Sequence, residues 1–249
     1  MAGPDWLVTL PIAHRGLHDR AQGRIENSAG AAQAALGGGY AIECDVQLTA
    51  DGQAVVFHDF DLDRLTAKTG PVSARTAAEL AGITLTGSAD TIETLDVWLA
   101  RIDGRVPVIC EIKSAFDGDE RLPTRAAEIA RDYAGPIALK SFDPQVLVHL
   151  RRETVLGEIP LGLVAEASYE DAEWNMLNAQ ARRDMTALTH WALTRPDFLS
   201  WHVGDLPHAV PTLCRAMGRP VMTWTVRTHE QVETARLYAD QMIFEGFTP

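Results

Sequence analysis

The feature that most constrains this chain is a strict alternation of short apolar runs with helix-like segments, which holds from Val106 to the last residues. Val106–Lys113, Ile137–Phe142, Leu161–Ala165, Phe198–Val203, Val221–Val226 and Gln241–Phe247 read as strands, because each is short, apolar and bounded by turn residues. The segments between them open on helix-start signals. Asp143 precedes a proline at the first helical position, Thr228 has Gln231 three residues on, and Ser168-x-x-Asp171 predicts a helix to about Trp191. Upstream, Pro11–Gly16 and Ala41–Leu48 read as two further strands. The helix between them, Ala29 to Leu36, is capped by Asn27 or Ser28 and stopped by Gly37-Gly38-Gly39. Eight strands with seven helical connections predict an α/β fold, a closed parallel TIM (β/α)8 barrel. The 249 residues match the typical size of about 250. A doubly wound open sheet is the alternative, but no Gly-rich dinucleotide fingerprint follows the first strand. The expectation is one barrel domain over residues 1–249.

A stretch at about residues 50–90 breaks the alternation. Thr49-Ala50-Asp51-Gly52 is a turn, and Ala54–His58 is a returning strand. The turn is too short for a parallel crossover, so these strands form an antiparallel hairpin. Thr76-x-x-Glu79 reads as a capping box, and Ile92, Leu95, Trp98, Leu99 and Ile102 keep a helical period. The block reads as a small insertion after strand two.

Charged groups gather at the ends of the first three strands. Glu43 and Asp45 lie two apart in a strand, so both carboxylates point to one face. Such a pair needs a cation, and its oxygens suit Mg²⁺ or Ca²⁺. His14-Arg15-Gly16 closes the first strand and Glu111-Ile112-Lys113 the third. The hairpin brings His58 back toward the acids if its register allows. In a barrel, chemistry sits at the carboxyl ends of the strands. Glu43, Asp45 and Glu111 can supply oxygen ligands to one divalent ion. Arg15 offers phosphate a bidentate fork and Lys113 a point charge. His14 and His58 can serve as general acid and base. Together these groups suit cleavage of a phosphate ester.

A formal charge of −12 argues against sequence-independent binding of nucleic acid and gives no attraction to anionic membranes. No apolar run reaches spanning length, and the N-terminus lacks the basic and apolar regions of a signal peptide. Of three cysteines, Cys44 and Cys110 fall inside strands as buried thiols, and a reducing cytoplasm is the expected compartment.

The ordered series His14-Arg15-Gly16, Glu26-Asn27-Ser28, Glu43-x-Asp45-Val46, Thr49-x-Asp51-Gly52, His58-Asp59 and Glu111-x-Lys113 resembles the motifs of glycerophosphodiester phosphodiesterases. Ser141-Phe142 and Trp224-Thr225-Val226 match later positions. The resemblance implies a TIM barrel with a small insertion, and metal-dependent hydrolysis of glycerophosphodiesters to sn-glycerol 3-phosphate and an alcohol. It implies metal ligands at Glu43, Asp45 and Glu111, an acid/base pair at His14 and His58, and phosphate contacts from Arg15 and Lys113. Glu26 would orient Arg15 or complete the site from behind it. Trp224 would line the glycerol side, its alternative being barrel filling. The chain departs from the pattern at Ile25, at Ser28 and at Glu245, which stands where the family often has a Thr-Asp pair. His202 ends a strand and can face the rim, and Asp59 is expected to orient His58. Trp174 and Met176 are expected to pack within a helix.

Two other functions fit the same residues. A phospholipase D-like lyase would give a cyclic phosphate. A non-catalytic sensor would bind a phosphodiester without turnover.

Overall fold

The protein is described by a computed structural model covering residues 3–152 and 157–249. Its strands are β1 Ile12–Ala13, β2 Ala41–Leu48, β3 Ala54–Val56, β4 Val108–Ile112, β5 Ile137–Ser141, β6 Leu161–Ala165, β7 Phe198–His202, β8 Val221–Val226 and β9 Gln241–Phe244. β2 and β4 to β9 pair in parallel, each with the next, and β1 pairs in parallel with both β2 and β9, so the ring closes. β3 hangs antiparallel on β2, with Val46 opposite Val56. This is the expected eight-stranded barrel with an insertion beside its second strand. The insertion carries its own core, in which Val55, Phe57, Leu62, Leu80 and Ile92 are buried together.

The helices are α1 Ala29–Gly38, α2 Ala77–Ala81, α3 Leu95–Ile102, α4 Arg121–Asp132, α5 Pro144–Arg152, α6 Ala179–Thr186, α7 Trp191–Thr194, α8 Ala209–Ala216 and α9 His229–Tyr238. Ser28 caps α1 by accepting from the Ala31 amide, which leaves Asn27 for the site described below. Both halves of the Thr76/Glu79 capping box form. The single helix expected from Ser168 to Trp191 does not. That segment holds a 3-10 turn at Ala172–Trp174, then α6 with Asn178 as its cap, then α7. Two local facts explain the break. The Trp174 indole is drawn inward to donate to Glu166 and pack on Tyr169, and Leu188 takes a positive φ of 51°.

Side-chain alternation along the strands stacks two layers inside the barrel. The floor is apolar and buried, from Ile12, Ala41, Ile109, Ala138, Met222 and Ile243. Two residues further along each of those strands stand His14, Glu43, Glu111, Lys140, Trp224 and Glu245. The polar layer is therefore the next inward row above a water-excluding base. Outside the strands, Cys44, Cys110 and Ile112 pack against Trp98 and Leu99 of α3 and other helix residues. Among the described residues no helix is long and apolar enough to cross a membrane.

The first strand is shorter than expected because the chain turns at once after Ala13. Arg15 and Gly16 have φ of 54° and 79°. A Cβ on Gly16 would lie 2.9 Å from the Ala31 backbone carbon. Gly16→Ala is expected to destabilise the protein by about 1–3 kcal/mol, since both the dihedral and the space are wrong. Urea denaturation checks this, and an unchanged midpoint would show that the turn relaxes freely.

Candidate active site

The site occupies the carboxyl-terminal mouth of the barrel. β2 and β4 run in register, with Asp45 opposite Glu111, and Glu43 one inward step below Asp45. One oxygen from each of the three carboxylates lies within 4.8 Å of the others, and all three side chains are buried. Three acids this close cannot all be ionised without compensation. Three cations supply it. Lys140 on β5 places Nζ 3.0 Å from Glu43 Oε1 and 2.9 Å from Glu111 Oε2. Lys113 places Nζ 2.9 Å from Glu111 Oε1 and 3.4 Å from Asp45 Oδ1. Arg15 Nε stands 3.4 Å from Asp45 Oδ2, and the Arg15 amide donates to Glu43 Oε2 at 3.0 Å. Burial pushes the Glu111 carboxyl upward, but Lys113 and Lys140 outweigh it and hold it at about 2. Asp45 is likewise driven below the usual carboxylate range, against burial, by Lys113, His58 and Arg15. Both lysines are raised despite burial, because their carboxylate partners favour the charged form.

Asn27 completes the triad's surroundings. Its side chain donates to Asp45 Oδ2 at 3.0 Å and accepts from the Asp45 amide at 3.2 Å. Asn27 and Arg15 both have positive φ, and the Asn27 amide donates to the Arg15 carbonyl at 2.9 Å. This mutual brace holds the strained turn after β1.

Each histidine has a carboxylate behind it. His14 Nδ1 lies 2.7 Å from Glu245 Oε2, just past β9, and His58 Nδ1 lies 2.8 Å from Asp59 Oδ1. A carboxylate on Nδ1 fixes the tautomer and leaves Nε2 for chemistry. The bond to His14 is the largest of the effects that hold the Glu245 carboxyl at about 2. Asp59 is in turn held by Arg64, whose Nε donates to Oδ2 at 2.6 Å. Arg64 also grips Glu26, which accepts from Arg15 Nη1 at 2.6 Å. Glu26 thus sits behind Arg15 and aims it. Arg15 Nε is buried with no hydrogen-bond partner, a donor directed into the site.

The expected residues His14, Arg15, Asp45, His58, Glu111 and Lys113 line one cavity of about 200 Å³. Trp224 lines it as well, and its Nε1 donates to the Ser200 carbonyl at 3.0 Å. His202 faces the same cavity with its ring 5.0 Å from Trp224. Glu43 and Glu26 do not line it, but Glu43 contacts Lys140 and Glu26 contacts Arg15, which do. Lys140 and Arg227 also line this cavity and were not expected there. Trp174 and Met176 were expected to pack within a helix. Trp174 does pack, buried with Tyr169, Leu177 and Met185, while Met176 is exposed, and both line a second cavity, of about 440 Å³, that adjoins the first at His58, Glu111 and Lys113.

A barrel mouth with three acids, two carboxylate-backed histidines and an arginine fork can be compared with known proteins. The profile of the glycerophosphoryl diester phosphodiesterase family matches residues 14–244. The chain belongs to that family. It is accordingly an enzyme, a glycerophosphodiester phosphodiesterase. No curated protein sequence matches it significantly. Among solved structures, it resembles an Oleispira antarctica phosphodiesterase in complex with its product sn-glycerol-3-phosphate, at 22% identity and a TM-score of 0.76, covering 95% of this chain and 93% of that one. A Thermotoga maritima glycerophosphodiester phosphodiesterase matches at 21% identity and a TM-score of 0.71, over 94% of each chain. One from Agrobacterium tumefaciens matches at 21% identity and a TM-score of 0.68, again over 94% of each chain. At such identities the structures speak for the barrel, and the profile match decides the family.

Proposed function

We propose that this phosphodiesterase hydrolyses glycerophosphodiesters to sn-glycerol 3-phosphate and an alcohol, with one divalent metal ion and a histidine acid/base pair. The observation that carries this reading is the convergence of His14, Arg15, His58 and Lys113 on one cavity above the Glu43, Asp45 and Glu111 carboxylates. The product bound to the Oleispira antarctica enzyme is consistent with it.

The donor set fits the metal. Three buried carboxylates provide hard oxygens for Mg²⁺ or Ca²⁺. Each of their six oxygens now contacts Lys113, Lys140, Arg15 or Asn27, so an ion taking them would displace some of those contacts. Once bound, the ion would polarise the phosphoryl group and offset its charge. The remaining work belongs to side chains. Arg15 and Lys113 hold the non-bridging phosphate oxygens. His14, backed by Glu245, takes a proton from the attacking water as its oxygen bonds to phosphorus. His58, backed by Asp59, gives a proton to the alcohol oxygen as its bond to phosphorus breaks. His58 borders both cavities and His14 only the smaller one, which favours that division of labour. Trp224 and His202 wall the glycerol side.

Metal-stripped protein is expected to release no sn-glycerol 3-phosphate from glycerophosphoethanolamine, and single additions of Mg²⁺, Ca²⁺ or Mn²⁺ to restore release. Full activity without metal would show that the lysines suffice. A cyclic phosphate that persists as the end product would assign the lyase reaction instead.

A further inference from the structure

The larger cavity is built for something other than phosphate. Its walls are Phe116, Phe142 and Trp174, with Phe60 and Met176 at the rim. The Phe142 and Trp174 ring centroids are 5.0 Å apart, and Phe116 meets Trp174 edge-on at 6.1 Å. The indole is fixed from behind, since Nε1 donates to Glu166 and Tyr169 packs at 4.9 Å. These rings are rigid surfaces, not loose packing.

The charges around them are unequal. Asp59, Asp61, Asp63, Glu111, Asp143 and Glu173 line the cavity, against only Arg64 and Lys113. Both cations are already taken: Arg64 by Asp59 and Glu26, Lys113 by Glu111 and Asp45. Asp61, Asp63 and Glu173 have no ion-pair partner among the described residues, and Glu173 lines both cavities. An anionic group would be repelled here. A neutral polyol would meet aromatic faces it cannot hydrogen-bond. An aliphatic chain would suit the rings but not the unpaired carboxylates. A cation coated in methyl groups satisfies both, because it is attracted to aromatic faces and to carboxylates without needing hydrogen-bond acceptors.

The cavity opens onto His58, the residue that protonates the departing alcohol in the reading above, on which this inference rests. We infer that this cavity is the leaving-group subsite and that it selects alcohols bearing a quaternary ammonium. Phe116, Phe142, Trp174 and Glu173 determine that selectivity.

The decisive comparison is between glycerophosphocholine and its 3,3-dimethylbutyl analogue, in which a carbon replaces the charged nitrogen at constant shape. The choline ester should be hydrolysed with about tenfold higher kcat/KM. Glu173→Gln and Phe116→Leu, both at partly or fully exposed positions, should shrink that ratio by lowering kcat/KM for the choline ester more than for the neutral analogue. A variant that merely loosened the fold would lower both substrates together and leave the ratio unchanged. Binding provides an arm independent of turnover. Choline should bind the metal-loaded protein more tightly than 3,3-dimethylbutanol by calorimetry, and weaken in Glu173→Gln. Equal or better use of the neutral ester, or equal binding of the two alcohols, would overturn the inference and point to an apolar chain as the occupant. Absence of turnover with every diester, alongside selective choline binding, would overturn the hydrolytic reading and the leaving-group assignment with it, leaving only a quaternary-ammonium binding site.

Discussion

His58→Gln is expected to lower kcat by about three orders of magnitude, within the 10²–10⁴ that a positioned proton donor contributes. Glutamine approximates the reach of imidazole but cannot pass a proton at neutral pH. The effect should fall on kcat with little change in KM, because the proposed role of His58 is on the oxygen that leaves and not in phosphate binding. Asp59→Asn should lose less than His58→Gln, since the ring stays in place but its Nδ1 partner at 2.8 Å no longer carries charge. His58 is partly exposed at the rim, so its replacement should leave the thermal midpoint nearly unaltered. A diester whose alcohol is a much better leaving group, such as a nitrophenol, needs less protonation. It should recover much of the loss in His58→Gln and little in His14→Gln. Equal loss on both substrates would move the proton donor away from His58.

Lys140→Met is expected to have the largest effect on stability. Lys140 is 3% exposed and touches two carboxylates that are themselves buried. Methionine preserves much of the shape and removes the charge. Three carboxylates would then face only Arg15 and Lys113. Breaking a buried ion pair from one side costs about 3–5 kcal/mol. For a chain of this size that lowers the thermal midpoint by about 10 °C in chelator. A divalent ion should restore more stability to Lys140→Met than it adds to the parent protein, because it binds only the folded triad and meets one fewer competing cation there. Thermal denaturation of both proteins with chelator and with millimolar Ca²⁺ or Mg²⁺ tests this. A variant as stable as the parent in chelator would show that the triad does not depend on Lys140.

Lys140 also marks where sequence reasoning stopped short. Its strand was legible, and Ser141-Phe142 beside it was matched as a motif, yet the lysine was passed over. Alternation could have found it. Ala138 and Lys140 share a face with each other, as Glu111 shares one with Ile109 on the neighbouring strand, and a lysine near the carboxyl end of a barrel strand is a candidate for the mouth. Glu43, Asp45 and Glu111 were legible for that reason, because their strands are long and β-branched. His14 and Arg15 were legible as residues at a strand end, although β1 proved to be two residues long. The break between Ser168 and Trp191 was not legible. Ser168 and Asp171 form a plausible start signal, and only the tertiary pull on Trp174 from Glu166, Tyr169 and Phe142 overrides it. Trp174 packs as expected but from a 3-10 turn, whereas Met176 is exposed, since the long helix that would have buried it does not form. Asn27 was ambiguous for a local reason. Two adjacent cap-forming residues compete for one cap, and only the partner across the site at Asp45 shows which one is free.

The ring is closed by its shortest strand, and that seam has a consequence for biosynthesis. β1 pairs with β9, and His14 meets Glu245 across nearly the whole length of the chain. A nascent chain that has emerged through β8 holds the triad and both histidines, but it has no ninth strand to close against and no acid to seat His14. Contacts between residues so distant in sequence form late, because the loop entropy must be met before they return anything. Catalytic competence should therefore appear in one step once β9 and Glu245 have left the ribosome. Ribosome-stalled intermediates should show no gradual rise in turnover, and a cell that degrades incomplete copies loses no partly working enzyme.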